Sequence, residues 1–162
     1  MSVTDELLTR NKRFAESFPG PEALRPKLRL AVVACMDSRI DVFGALGLEL
    51  GDAHIIRNAG GVVTDDVIRS LVISQRLLGT EEIILIHHTD CGQLKYTDDE
   101  LKAAIEGDTG VRPPWATEAF TDADADVRQS IARLKKSPFV PRTDRVRGFV
   151  FDVGTGLLRE VE

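Results

Sequence analysis

The stretch that decides the fold is Leu30-Ala31-Val32-Val33-Ala34, which runs directly into Cys35-Met36-Asp37-Ser38-Arg39. A run of small and β-branched residues ended by polar ones predicts a buried parallel strand that opens into a loop. In an open α/β sheet, ligands bind at the carboxyl ends of the strands. We therefore expect the loop that begins at Cys35 to carry functional side chains.

A second stretch repeats this arrangement, because the apolar run Ile83-Ile84-Leu85-Ile86 continues into His87-His88-Thr89-Asp90-Cys91-Gly92. Thiolate and imidazole are ligands that zinc prefers, and His88 and Cys91 can face one point across a turn. Cys35 joins them if the two strands are parallel neighbours that end at the same edge. We predict a zinc site formed by Cys35, His88 and Cys91.

A single buried cysteine is more often a small core residue than a ligand. This chain has two cysteines, and both stand beside polar turns at strand ends, together with a histidine. That joint pattern favours a metal site over a plain core. Neighbouring residues on a strand point to opposite faces, so we expect the His87 side chain to point away from the metal.

Asp37 has two possible roles beside this site. As a fourth ligand it closes the tetrahedron; paired with Arg39, it leaves that position to water. The residues alone leave both roles open. The presence of Arg39 favours a catalytic site, because a purely structural tetrahedron needs no competing partner for its aspartate.

Composition limits the classes of partner. The chain has 162 residues, is 43% hydrophobic and carries a net charge of -5 without a basic block. It therefore suits a globular domain, and we expect neither nucleic acid nor an anionic membrane as a partner. No apolar run approaches the ~20 residues that cross a bilayer, and the N-terminal residues do not resemble a signal peptide. We expect a cytoplasmic protein.

Strands and helices alternate along the chain, and a hairpin closes it. Strands are predicted at residues 30–34, 53–57, 83–88, 146–153 and 157–161, and helices at residues 2–18, 65–78 and 127–136. A short helix and turn are predicted over residues 40–50, and a short helix capped by Asp98 or Asp99 carries Leu101, Ala104 and Ile105. This order predicts a three-layer α/β fold with a mainly parallel central β-sheet, an antiparallel edge strand and helices on both faces. Residues 107–126 are predicted to form a long loop whose acidic end caps the next helix.

The first helix carries an apolar stripe that nothing local covers, formed by Leu7, Leu8, Phe14, Ala15 and Phe18. A Pro/Gly break at residues 19–21 separates it from the rest. The helix either folds back on its own core or lies on a second subunit. We therefore divide the chain into an N-terminal helical arm, residues 1–28, and a zinc-binding α/β catalytic domain, residues 29–162.

The second strand ends in Asn58-Ala59-Gly60-Gly61. Adjacent glycines allow the backbone to approach a ligand closely or to adopt a positive φ. On local grounds, however, a tight turn before a helix is the preferred interpretation.

Four motifs together resemble a β-class carbonic anhydrase: Cys35-x-Asp37-x-Arg39, Arg57-Asn58-Ala59-Gly60-Gly61, His88-x-x-Cys91-Gly92 and Asp152-Val153-x-Thr155-Gly156. They span about residues 30–161 in the family's order. Plant-like members carry a glutamine shortly before the first metal cysteine, and residues 22–30 contain none. The chain therefore resembles the smaller branch first described in archaea.

The resemblance implies reversible hydration of carbon dioxide to bicarbonate and a proton, with one zinc ion per chain. Cys35, His88 and Cys91 then bind the metal. Asp37 and Arg39 form a dyad in which the carboxylate accepts a hydrogen bond from zinc-bound hydroxide and orients it towards substrate. The backbone of Ala59, Gly60 and Gly61 helps to form a narrow substrate cleft.

The resemblance also implies a homodimer or a dimer of dimers, with the site at the interface and the arm wrapped on the partner. It further suggests a pH gate in which Asp37 moves onto zinc at lower pH. Two rivals remain. The same fold hydrolyses carbonyl sulfide or carbon disulfide in other members, and a non-enzymatic zinc module would use Asp37 as a permanent fourth ligand.

Overall fold

The computed structural model describes residues 2–162. One sheet is built from five strands: β1 (Leu30–Cys35), β2 (Ala53–Asn58), β3 (Glu82–His88), β4 (Val146–Phe151) and β5 (Leu158–Val161). Their spatial order is β2-β1-β3-β4-β5. The first four strands run parallel, and β5 pairs antiparallel with β4. The predicted mainly parallel sheet with an antiparallel edge strand is confirmed.

The chain also forms five helices, which are α1 (Val3–Glu16), α2 (Val42–Leu46), α3 (Asp65–Arg76), α4 (Asp98–Thr109) and α5 (Ala123–Lys136). Successive residues of a strand face opposite sides. On one side, Ala31 of β1 packs in a core with Leu71 of α3 and Leu134 of α5. On the other side, Val32 packs with Val42 of α2. The three-layer arrangement is therefore also confirmed.

Several helix ends differ from the prediction. Within residues 40–50, where a short helix and turn were predicted, the helix ends at Leu46 because Gly47 at φ 64° adopts the left-handed conformation. The last helix begins before residue 127, because the Asp122 side chain accepts a hydrogen bond from the Ala125 N–H at 2.7 Å and caps it. With α4 running to residue 109, the loop predicted over 107–126 shrinks to residues 110–122.

The switch point of the sheet lies between β1 and β3. The chain leaves β1 to form β2 on one side and returns to form β3 on the other. Ala34 stands opposite Ile86 in the parallel pair, so the ends of β1 and β3 lie at the same edge. A crevice at such a switch point is where open α/β sheets bind ligands.

The N-terminal helix does not cover the core of its own chain. A capping box between Ser2 and Asp5 starts α1, and none of its residues is buried. Leu7, Leu8 and Phe14 of the apolar stripe are 52%, 57% and 59% exposed. Within residues 2–162, the stripe thus has no apolar surface against it.

Gly148 of β4 is the point at which α5 packs closely on the sheet. A Cβ atom there would lie 2.2 Å from Val127 Cγ1 and 3.0 Å from Ile131 Cδ1, both on α5. We expect Gly148→Ala to lower the free energy of unfolding by about 1–3 kcal/mol, because the helix must move to relieve the clash. Urea unfolding at a fixed protein concentration measures this change.

Gly107→Ala is the matched control, since Gly107 lies in α4 and an added Cβ would meet no atom within 4 Å. This change should raise the free energy of unfolding by about 0.5–1 kcal/mol, because alanine loses less backbone entropy in a helix. A Gly148→Ala variant as stable as the parent would contradict the close packing.

Candidate metal centre

The predicted donors converge on one point. Cys35 is the last residue of β1, His88 is the last residue of β3, and Cys91 follows in the next turn. All three are buried, and their ligand atoms lie within 4.8 Å of one another. The two Sγ atoms are 4.0 Å apart, close to the ~3.8 Å that two zinc–sulfur bonds of about 2.3 Å give in a tetrahedron.

The imidazole of His88 is oriented as a metal ligand. Its Nδ1 lies 2.9 Å from the carbonyl oxygen of Thr89, to which it donates. Its Nε2 is buried without a hydrogen-bond partner among residues 2–162. A buried ring nitrogen left unpaired is costly, whereas a ligating histidine places its other nitrogen on just such a carbonyl. The donor set therefore fits zinc.

Backbone N–H groups surround the two sulfurs. Those of Asp37 and Gly60 donate to Cys35 Sγ, and that of Gln93 donates to Cys91 Sγ. The hydrogen bond from the Cys91 thiol lowers the pKa of Cys35 to about 4, and the same contact raises the pKa of Cys91. Without a metal, the pair therefore shares one proton that a bound cation would displace.

Gly61 permits the close approach that the site needs. It adopts φ 71°, and a Cβ there would lie 2.8 Å from the backbone N of Cys35 and from the carbonyl oxygen of Ile86. Gly60 also has a positive φ, within a 3₁₀ turn over Ala59–Gly61. The preferred local interpretation, a plain tight turn, is thus incomplete, because the turn also packs against the ends of β1 and β3.

Asp37 lies beside the donors and forms an ion pair with Arg39. The Arg39 Nε and Nη2 atoms lie 3.0 and 2.7 Å from the two Asp37 carboxylate oxygens. Asp37 Oδ2 is 3.7 Å from His88 Nε2. Hydrogen bonds from the Arg39 side chain and then its backbone N–H hold the pKa of Asp37 well below its usual range. The carboxylate is therefore ionised throughout the neutral range.

Two further side chains stabilise this edge of the sheet. Neither was assigned this role from the sequence, although both residues lie within the stretches quoted there. Arg57 donates to the Cys35 carbonyl at 2.9 and 2.7 Å and to the Asp37 carbonyl at 2.7 Å. Asp90 accepts from Arg39 Nη1 at 3.0 Å. In the sequence, the position of Asp90 between the donors His88 and Cys91 was the one feature that could have indicated its role.

His87 points away from the metal donors, as predicted. Its Nε2 lies 2.6 Å from Asp126 Oδ2 on α5, and its ring packs against Phe120 at a tilt of 34°, with the ring centroids 5.3 Å apart. The acidic residues before α5 had been interpreted as helix caps. Asp122 and Asp124 fit that role, but Asp126 is also the buried partner of His87.

Thiolate and imidazole donors at the switch point of a doubly wound sheet define a metal-binding α/β protein. A family model described as carbonic anhydrase matches residues 30–112. The chain is 58% identical to "Beta-carbonic anhydrase 1" of Mycobacterium tuberculosis over 161 residues, which cover 99% of both chains. It is 39% identical to a carbon disulfide hydrolase of Saccharolobus solfataricus, covering 82% of this chain and 76% of the relative.

Among solved structures, a carbonic anhydrase of Streptococcus mutans superimposes with a TM-score of 0.94 at 48% identity, covering 100% of this chain and 99% of the other. The chain therefore belongs to the β class of the carbonic anhydrase family. The resemblance drawn from the four motifs is confirmed at this level. In residues 2–162, no helix is both long and apolar enough to cross a membrane.

Zinc binding should release protons in a pH-dependent way. With azide present to take the place of any metal-bound water, we expect about one proton per chain at pH 8.5, from Cys91, because the Cys35 thiol is already ionised. Burial lowers the pKa of His88, but its contact with the Cys35 sulfur outweighs this and leaves the pKa raised. A larger release is therefore expected at pH 6.5, where protonated His88 must also lose its proton.

Calorimetric titration of metal-free protein with zinc, in saturating azide and in two buffers of different ionisation enthalpy, measures this release. Equal proton release at the two pH values would contradict the raised pKa of His88. No release at pH 8.5 would contradict the shared thiol proton.

Proposed function

We propose that this chain catalyses the reversible hydration of carbon dioxide to bicarbonate and a proton, with one zinc ion held by Cys35, His88 and Cys91. The observation that carries the proposal is the buried donor group with an ionised, arginine-paired Asp37 beside it. When bound, zinc lowers the pKa of a coordinated water towards ~7, the value in the unrelated histidine-liganded carbonic anhydrases, and so supplies a nucleophile.

Asp37 and Arg39 act as the orienting dyad in this proposal. Ion pairing with Arg39 keeps the Asp37 carboxylate ionised and ready to accept a hydrogen bond from the attacking water. Fixing that water in one orientation removes part of the entropic barrier to reaction. The backbone of Ala59, Gly60 and Gly61 forms one wall of the cleft that receives the linear substrate, since it packs next to Cys35.

The same carboxylate gates the site with pH. Asp37 Oδ2 lies 3.7 Å from His88 Nε2, so a small movement away from Arg39 would bring it within reach of a zinc ion held by the three donors. Closure by Asp37 excludes water, and reopening admits a water that can lose a proton. Rising pH therefore favours the open form, and falling pH favours closure, although Asp37 itself stays ionised.

Two finer assignments belong to this proposal. The lack of a glutamine in residues 22–30 supports placing the chain in the smaller, archaeal-type branch of the β class. Both cysteines are free and buried at the metal centre, which supports a reducing, cytoplasmic location. Carbon dioxide and bicarbonate are then the ligands that pass through the cleft.

The carbon disulfide hydrolase likeness supports a second candidate, hydrolysis of carbon disulfide or carbonyl sulfide at the same site. These molecules share the linear shape of carbon dioxide. A permanently closed zinc module is less well supported, because Asp37 is paired with Arg39 rather than directed at the donors.

Stopped-flow carbon dioxide hydration with a pH indicator, at pH 6.5 and pH 8.5, tests the proposal alongside zinc content per chain. We expect about one zinc per chain and faster turnover at pH 8.5, because the open form dominates there. Asp37→Asn should keep zinc and lose turnover about ten- to a hundredfold, since the amide cannot replace an ionised acceptor.

Zinc loss in Asp37→Asn would instead favour the structural module. Stoichiometric zinc without carbon dioxide turnover at either pH, together with sulfide release from carbon disulfide, would favour the hydrolase. Turnover equal at the two pH values would contradict the gate.

We also propose that residues 1–28 form an arm that packs on a partner subunit and that residues 29–162 form the catalytic domain of a homodimer or dimer of dimers. The exposed stripe on α1 supports this, since contiguous apolar surface marks an interface. Leu24 and Leu28, at 80% and 56% exposure, extend the apolar surface beyond the helix.

A charge placed on the stripe should dissociate the assembly. We expect Leu8→Lys combined with Phe14→Lys to reduce the mass measured by light scattering from a multiple of the chain towards a single chain. Desolvating two lysines in an apolar interface is strongly unfavourable. Thr9→Lys, on the opposite side of α1, adds the same type of charge and should leave the mass unchanged. An unaltered mass in the double variant would refute the arm.

A further inference from the structure

We infer that Asp90 is a positioning residue that anchors the Arg39 guanidinium and thereby determines how firmly Asp37 is held off the metal centre. This inference rests on the proposed dyad of Asp37 and Arg39. It adds to that pair a second carboxylate, which lies in the turn between the donors His88 and Cys91.

The guanidinium of Arg39 is shared between two carboxylates. Its Nε and Nη2 atoms bind Asp37, whereas its Nη1 donates to Asp90 Oδ2 at 3.0 Å. Nη2 also donates to the Asp90 carbonyl oxygen at 3.0 Å. Every nitrogen of the guanidinium group therefore has a partner, and its plane is fixed from two sides.

Arg39 needs such an anchor because its side chain is 45% exposed. An exposed ion pair alone holds a long side chain weakly, since solvent competes and rotamer freedom is lost. Two partners in different parts of the chain restrict the guanidinium far more than Asp37 alone could. The Asp37 carboxylate thus gains a preorganised partner.

Asp90 is itself held in place. Lys95 Nζ lies 2.6 Å from Oδ1, so each carboxylate oxygen of Asp90 has its own cationic partner. The backbone of Asp90 adopts φ 53°, a left-handed conformation that aspartate and asparagine tolerate better than other non-glycine residues. Because Asp90 lies between His88 and Cys91, the turn that presents two donors also positions the anchor of Arg39.

Loss of the Asp90 carboxylate could shift the pH dependence of activity in either direction. The direction of the shift shows whether Asp90 acts by positioning Arg39 or only through its negative charge. If Asp90 positions Arg39, loss of the carboxylate frees the guanidinium, and Asp37 then closes the site more often. The low-pH side of the profile of activity against pH, its acidic limb, therefore moves to higher pH. If Asp90 acts only through its negative charge, its loss favours deprotonation nearby and moves that limb to lower pH.

The test compares Asp90→Asn and Asp90→Gly, both of which suit a left-handed φ. Asparagine keeps a neutral acceptor for Arg39, and glycine removes the side chain. We expect the acidic limb of carbon dioxide hydration to rise by about half a pH unit or more, with about threefold less turnover at pH 6.5 and little change at pH 9. Glycine should shift the limb more than asparagine.

A second measurement does not depend on turnover. The visible absorption of cobalt-substituted protein follows the change of one ligand from water to carboxylate, so its pH midpoint should rise in the same order. Azide, which needs an open coordination position, should bind more weakly to both variants at pH 6.5. If the glycine variant does not bind cobalt, the pH midpoint of the asparagine variant alone tests the inference.

Asp124→Asn is the matched control, because Asp124 binds Arg159 through two hydrogen bonds of 2.9 and 2.7 Å away from the site. It makes the same chemical change and should leave unchanged both the pH midpoint of carbon dioxide hydration and that of the cobalt spectrum. Midpoints that are unchanged or lowered in the Asp90 variants would overturn the inference.

Arg39→Gln separates this failure from failure of the proposed function. A raised midpoint in Arg39→Gln with none in the Asp90 variants would reject only the role of Asp90. An unchanged midpoint in Arg39→Gln would reject the Asp37–Arg39 dyad itself.

Discussion

The parallel pairing of β1 with β3 is the constraint on which the rest of the structure depends. It brings a thiol and an imidazole from distant parts of the chain to one edge of the sheet, where a turn adds the second thiol. Two sulfurs and an unpaired ring nitrogen buried together are unfavourable unless a cation joins them. The surrounding N–H groups, the bare backbone of Gly61 and the Arg57 bonds all stabilise that edge.

The Asp37 carboxylate stands between the buried donor group and the Arg39 guanidinium. Asp37 lies within reach of the donor group, yet its oxygens are bound by Arg39. In the proposed function, the balance between these two attractions would decide whether Asp37 closes the site or leaves it open to water. On the inferred role of Asp90, this balance would depend on the turn between His88 and Cys91, because Asp90 lies in that turn and binds both Arg39 and Lys95, a residue just beyond it.

Much of the fold and the donor set could be predicted because their signals are local. The apolar runs of β1 and β3, the polar residues at their ends and the opposed faces of His87 and His88 follow from strand geometry. Helix ends were predicted less well, because a single left-handed glycine decides where α2 ends and a single aspartate cap makes α5 start before residue 127. The double role of Asp126 depended on the packing of α5 against β3.

The sequence by itself determined the α/β class, the residue types that can bind zinc and the apolar stripe of α1, since each arises from periodicity or from neighbours along the chain. Only the tertiary structure decided which atoms meet. Arg39 and Asp90 are 51 positions apart, and their contact exists because sheet register brings the ends of β1 and β3 together. The closeness of Gly61 to Cys35 follows in turn from the parallel pairing of β1 with β2, which sets Cys35 opposite Asn58. Local patterns encode local conformation, whereas register and packing select the partners of each side chain.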